Sequence, residues 1–147
     1  MTLLREELPA ITLSKTDFER LDRLAAAAAE TFPRTASFLA QEVARANVIE
    51  SADVPPNIVG MGSTVEYRDD ATGQTRTVIV VYPEEADLGA GKISVLSPVG
   101  AALIGLSAGQ SIAWQPPAGS RRLLTVLRVN AAAPALQGEA VANPAGA

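Results

Sequence analysis

The sequence predicts an α+β fold: a short antiparallel helical hairpin, followed by a twisted antiparallel sheet with one short helix packed across it. Three observations carry this reading. Apolar residues recur at helical spacing from Phe18 to Ala46, with a single break at Thr31-Phe32-Pro33-Arg34. From Thr64 onward they alternate with polar residues or run in short blocks between turn residues, as strands do. Finally, Ile93 to Trp114 reads as strand, capped short helix, glycine turn and strand.

Residues 1–10 lack pattern and are expected to form a loose arm, and Ile11-Thr12-Leu13 a brief extended segment. Two overlapping helix starts follow: Thr16 with Glu19 is a capping box, and Ser14 with Asp17 a looser version. Phe18, Leu21, Leu24 or Ala25, and Ala28 share one face, opposite Glu19, Arg20, Asp22 and Arg23, so the first helix is expected over about residues 15–30. The second is expected to begin near Thr35, with Leu39, Val43 and Ala46 inward and Gln41, Glu42 and Arg45 elsewhere. The short connection makes the pair an antiparallel hairpin over residues 11–52. Its alanine-rich seam is thin, so the hairpin must lean on the sheet. Ser51 to Asn57, with Pro55-Pro56, reads as a stiff linker.

A second unit is expected over residues 57–130. Thr64 to Arg68 alternates as a strand with one wet face, and Asp69 to Gly73 is a hairpin turn. Thr75 to Tyr82 is apolar on both faces through its middle, which predicts a central strand. Glu84 to Gly91 is an acidic loop, and Ile93 to Leu96 a short strand. Ser97-Pro98 then starts a helix of about two turns, Ser as cap and Pro at the first helical position, with Gly105 and Gly109 bracketing its end. Ile112-Ala113-Trp114 resumes an extended pattern. Pro116-Pro117-Ala118-Gly119 is a turn, and Arg121 to Val129 the last strand. Residues 131–147, rich in Ala, Pro and Gly, read as a disordered tail.

Composition narrows the chemistry. The 147-residue chain is 48% hydrophobic but only 4% aromatic, so its core is built from Val, Leu, Ile and Ala. It contains neither Cys nor His. That removes disulfides, thiolate nucleophiles, thiolate-bound zinc, the usual general base and the commonest transition-metal ligand. The net charge is −4, and each side of residue 50 carries six basic against eight acidic residues. No basic block exists to grip nucleic acid directly. No apolar run is long enough to span a membrane, and acids near the start argue against a secretory signal, so a cytoplasmic protein is expected.

Gly62-Ser63-x-Val65, then Lys92-Ile93-Ser94-Val95-x-Ser97-Pro98-Val99-Gly100-x-Ala102-Leu103-Ile104-Gly105-x-x-x-Gly109, then Pro116-Pro117-x-Gly119 resembles the C-terminal domain of the Gre transcript-cleavage factors. The layout with a short helical N-terminal region more closely resembles the Rnk-type "regulator of nucleoside diphosphate kinase" proteins. The resemblance covers residues 57–130 strongly and 10–50 weakly. It implies an FKBP-like fold for the sheet unit and a docking face for RNA polymerase, at the rim of its secondary channel.

On composition alone the Ser97-Pro98-Val99 corner serves equally as an ordinary helix cap or as a contact surface; the resemblance makes it the main partner contact. The hairpin tip, Glu30, Phe32 and Arg34, is the second candidate. In Gre factors a long coiled coil carries acidic tip residues that help hold a catalytic magnesium. Here the tip has one acid beside Arg34, which departs from that pattern and is a poor Mg²⁺ site. Glu84, Glu85 and Asp87 read as a solvated loop, Asp69 and Asp70 as turn residues, Arg121 and Arg122 as edge-strand charges and Trp114 as a packing residue. No catalytic residue, metal or cofactor is expected.

The implied function is a non-catalytic transcription regulator that binds RNA polymerase, competes with Gre-type factors, and meets nucleic acid only through the polymerase. A monomer that does not engage membranes is expected. The alternative is a direct regulator of nucleoside diphosphate kinase. A peptidyl-prolyl isomerase ranks below both. That activity needs several aromatics around one pocket, and three of the six here (Phe18, Phe32, Phe38) lie in the hairpin.

Overall fold

The computed structural model describes residues 9–114 and 122–130. The arm's first eight residues, the Pro116-Pro117-Ala118-Gly119 turn, Arg121 and the tail from residue 131 lie outside the described residues. The elements are β1 (Thr12–Ser14), α1 (Lys15–Ala27), α2 (Pro33–Arg45), β2 (Asn47–Ile49), β3 (Thr64–Asp69), β4 (Gln74–Val81), β5 (Lys92–Ser94), α3 (Pro98–Leu103), β6 (Ser111–Trp114) and β7 (Arg122–Asn130). The fold is α+β, helices with a curled, mainly antiparallel sheet.

Of the two helix starts, Ser14 is the one used: its hydroxyl accepts the Asp17 N–H at 3.0 Å, while Thr16 turns its hydroxyl to Ser51, 3.2 Å away. Helix α1 ends at Ala27, three residues short of expectation. Helix α2 begins at Pro33 rather than Thr35, because the Pro that breaks the first helix is itself a suitable first helical residue for the second. A strand the sequence pattern does not announce follows. Asn47–Ile49 pairs in parallel with Thr12–Ser14, Leu13 opposite Val48. Parallel neighbours need a long crossover, and the whole hairpin is that crossover.

The larger sheet has the order β5-β4-β3-β7-β6. Three expectations change here. β5 pairs with β4 in parallel, Val80 opposite Ile93, so the sheet is not wholly antiparallel. The middle strand is Thr64–Asp69, not the more apolar Gln74–Val81, whose first half is solvent-exposed. β7 lies between β3 and β6, so Arg122 does not protect an edge; it pairs with Asp69 at 3.3 Å. The Asp69 carboxylate also accepts the Ala71 N–H at 3.0 Å and closes the expected turn. A register shift between Glu66 and Tyr67 on the β7 side bends the sheet.

One continuous apolar cluster joins the two halves: Leu21, Leu39 and Val43 of the hairpin meet Leu103, Ile104, Ile112 and Leu124 of the sheet unit. Helix α2 packs on α3. Backbone bonds add to this, with Thr12 N–H donating to Gly105 O at 3.0 Å. Gly105 is required there: its φ is +83°, and a Cβ would lie 2.9 Å from Ile11 Cβ. Glu42, expected away from the face that carries Leu39 and Val43, is buried with 2% exposure. Its carboxylate meets the Arg45 guanidinium in a two-pronged pair at 2.7 and 3.1 Å, and Arg45 also donates to the Pro9 carbonyl.

Candidate functional site

The corner is built from β5 outward. Val95 and Leu96 leave the strand and bury their side chains, which forces the chain to turn at Ser97. The Ser97 hydroxyl donates to the Ser94 carbonyl at 2.6 Å and accepts the Gly100 N–H at 3.1 Å, serving strand end and helix start together. Ser94 reciprocates, its hydroxyl accepting the Leu96 N–H at 2.9 Å. Pro98 holds the first helical position, and Gly100, Ala101, Ala102 and Leu103 bury the helix against the sheet. Ser97, Pro98 and Val99 are each half-buried. The corner is thus rigid and partly presented, with Val99 resting against the apolar cluster.

Glu30, Phe32 and Arg34 are exposed at the hairpin tip, Phe32 by 51%. A bond from Phe32 N–H to Ala28 O at 2.8 Å tightens the tip turn. Among the described residues no ion pair joins Glu30 to Arg34, and no group of acids is arranged to hold a metal. Each helix has 13 residues, about 20 Å at 1.5 Å per residue. Contact between α2 and α3 links corner and hairpin mechanically. Glu84, Glu85 and Asp87 lie exposed in the loop of two 3₁₀ turns before β5; there Asp87 Oδ1 accepts the Gly89 N–H at 3.1 Å, a turn-stabilising role. Trp114 is half-buried against the apolar cluster.

The junction of hairpin and sheet holds polar groups that the sequence pattern does not single out. Asp17 Oδ2 accepts the Met61 N–H at 3.1 Å, across 44 residues of chain. Arg20, one turn on, lies 4.0 Å over the Tyr82 ring, whose hydroxyl is buried with no hydrogen-bond partner among the described residues. Burial, and next the Asp17 charge, push the Tyr82 hydroxyl up to about 12. Burial also raises the Asp17 carboxyl above 3.8, against the lowering effects of the Met61 N–H and Arg20. A raised folded value means that protonation favours the folded chain. Asp17's contribution to stability is therefore complete below 3.8 and lost as pH rises through the folded value. Asp17→Asn keeps an oxygen for Met61 and removes the charge. In urea unfolding at pH 7 and pH 4, the difference between wild type and this variant should shift in favour of wild type on acidification. A shift the other way would show that the bond to Met61 outweighs burial.

Comparison with known proteins gives a consistent pattern. Residues 54–131 match the family described as "Transcription elongation factor, GreA/GreB, C-term", and residues 9–49 match "Rnk N-terminus". The "Regulator of nucleoside diphosphate kinase" of Escherichia coli (strain K12) is 36% identical over 121 residues, 82% of this chain and 89% of that protein. The "Transcription elongation factor GreA" of Rhodospirillum rubrum is 43% identical over 77 residues, 52% of this chain and 49% of that protein. Among solved structures, the "Prokaryotic transcription elongation factor GreA/GreB from Nitrosomonas europaea" superposes with a TM-score of 0.66 at 36% identity, covering 84% of this chain and 99% of that one. Among the described residues no helix is long and apolar enough to cross a membrane. With both segments matched in chain order, and a regulator aligned along most of its length, this chain belongs to the Rnk-type regulators of nucleoside diphosphate kinase, within the superfamily of the GreA/GreB C-terminal domain.

Proposed function

We propose that this chain is a non-catalytic transcription regulator that docks on RNA polymerase near the secondary channel and competes there with Gre-type elongation factors. Ser97, Pro98 and Val99 are the docking contact, and the hairpin, with Glu30, Phe32 and Arg34 at its tip, stands at the channel mouth. The observation that supports this reading is the pairing of a GreA/GreB C-terminal match, spanning the whole corner, with 13-residue helices and a single acid at the tip. A doubly hydrogen-bonded corner has little ordering entropy left to lose on docking. In the same reading the sheet unit has the FKBP-like fold of Gre C-terminal domains, the chain acts as a cytoplasmic monomer, and nucleic acid is met only through the polymerase.

Binding of the purified chain to core RNA polymerase, with and without a competing Gre factor, is the decisive measurement. Pro98→Asp should weaken that binding about 30-fold or more, since an unpaired charge in a contact costs about 2 kcal/mol. An acid at the first helical position suits the helix dipole, so folding should survive. Val99→Asp is the poorer probe, because Val99 also packs inward. Wild-type chain that neither binds the polymerase nor displaces the Gre factor sinks the proposal.

A second reading, direct regulation of nucleoside diphosphate kinase, is favoured by the name of the relative aligned over 82% of this chain. Titration calorimetry with the purified kinase separates the two. Direct kinase binding in a chain that ignores the polymerase favours the second.

A further inference from the structure

Between the start of α1, the 51–56 connection and the Gly60–Ser63 loop lies a cleft of about 430 Å³. Leu13, Val54, Pro55, Pro56 and Met61 supply apolar walls, and the Asp17 carboxylate supplies the charge. Asp17 is half-buried, yet none of the ion pairs among the described residues reaches it. Arg20, whose charge acts on it, is stacked on Tyr82. The Asp17 N–H is capped by the Ser14 hydroxyl, and the Asp17 carboxylate reaches instead to Met61.

We propose that this cleft is a binding site for a primary alkylammonium group, a single positive charge on an apolar stem. Thr12, Ser14, Ser51 and Ser63 also line the cleft, so the carboxylate sits among neutral hydroxyls and apolar walls. It discriminates against anions, and a neutral apolar guest would desolvate it without compensation. A cation carrying methylene groups satisfies both the charge and the walls. An ammonium fits better than a guanidinium. The Met61 N–H occupies one acceptor position of Oδ2, and the Ser14 hydroxyl also bonds the carboxylate. That crowds the in-plane, two-oxygen approach of a guanidinium fork, whereas a compact point charge needs one remaining acceptor position. The ammonium has two natural sources, a free aliphatic amine or a lysine side chain of a protein partner, and both present the same chemistry to Asp17. None of the residues lining the cleft belongs to the Ser97–Val99 corner.

Titration of the full-length chain with n-butylammonium chloride, followed through backbone amide NMR shifts, tests the site. Saturable shifts at Asp17, Met61 and Val54 are expected, with none from n-butanol, the neutral analogue of the same stem. Asp17→Asn preserves an acceptor for Met61 and should weaken binding about tenfold or more, as loss of a charged hydrogen-bond partner does. If that variant proves poorly folded by amide dispersion, Val54→Lys is the second probe, since it tethers an ammonium at the cleft wall and should exclude the added amine. Running Nα-acetyl-lysine methylamide alongside distinguishes the sources. Tighter binding than butylammonium assigns the site to a lysine in a polypeptide, and equal binding assigns it to a free amine. Equal shifts from butanol, unchanged affinity in Asp17→Asn or in Val54→Lys, or no saturable shift at all would overturn the proposal.

Discussion

Arg45→Ala should lower the unfolding free energy by about 3 kcal/mol, near the lower end of what is seen when a buried ion pair loses one partner. The Glu42 side chain is 3% exposed, and among the described residues its carboxylate is held only by the two-pronged contact with Arg45. Without the guanidinium the carboxylate stays in an apolar environment with no cation or donor to offset its lost hydration. Arg45 itself is a quarter exposed, so water can reach the gap it leaves, which keeps the loss from the upper end of the range. The Pro9 carbonyl loses its donor as well, loosening the entry to β1. Replacing both partners, Glu42→Leu with Arg45→Met, removes the charge together with its partner and should recover most of the loss. Urea midpoints of wild type and the two variants decide the matter. A single variant within about 0.5 kcal/mol of wild type would mean the pair is surface-like.

Gly100→Ala carries the second large effect, and its sign is the test. By helix propensity alone the change should stabilise a helix by about 1 kcal/mol. Here an added Cβ would overlap the Ser94 carbonyl oxygen and come within 3.0 Å of both its carbon and the Ser97 hydroxyl oxygen. The obstacle is backbone, which cannot swing aside as a side-chain end can. The Ser94 carbonyl also accepts both the N–H and the O–H of Ser97, so moving it dismantles the cap. A loss of about 2–3 kcal/mol is expected from such overpacking. Under the proposed function, polymerase binding should weaken in the same variant, because the geometry of Ser97 to Val99 is what the glycine permits. Thermal melting with a binding measurement checks both, and a stabilised variant would show that the helix–strand approach is looser than described.

Much of the architecture was legible in local pattern. Leu39 and Val43, spaced at one helical turn, both point inward as expected, and the alternation of Val65 and Tyr67 reports correctly which face of β3 is covered. Ser97-Pro98 announced its helix because caps and fixed φ act within one turn of chain. Glu42 was misplaced for the opposite reason. By spacing it borders the apolar face, and whether a bordering acid is buried depends on whether a cation folds over it. The parallel pairing of β5 was equally invisible, since strand direction is set by the loop path before it and not by the apolar content of Ile93 to Leu96.

What the sequence determined by itself is the set of interactions that close within a few residues: the hairpin helices, the turn at Gly73, the capped corner, and a chemistry without thiols or imidazoles. Tertiary structure alone decided the pairing of Thr12–Ser14 with Asn47–Ile49, the central place of β3, the burial of Glu42 and the contact of Asp17 with Met61. In each of these the partner lies outside the local pattern or on another element, so the free energy that selects it comes from packing the whole chain. No spacing rule along one segment carries that information.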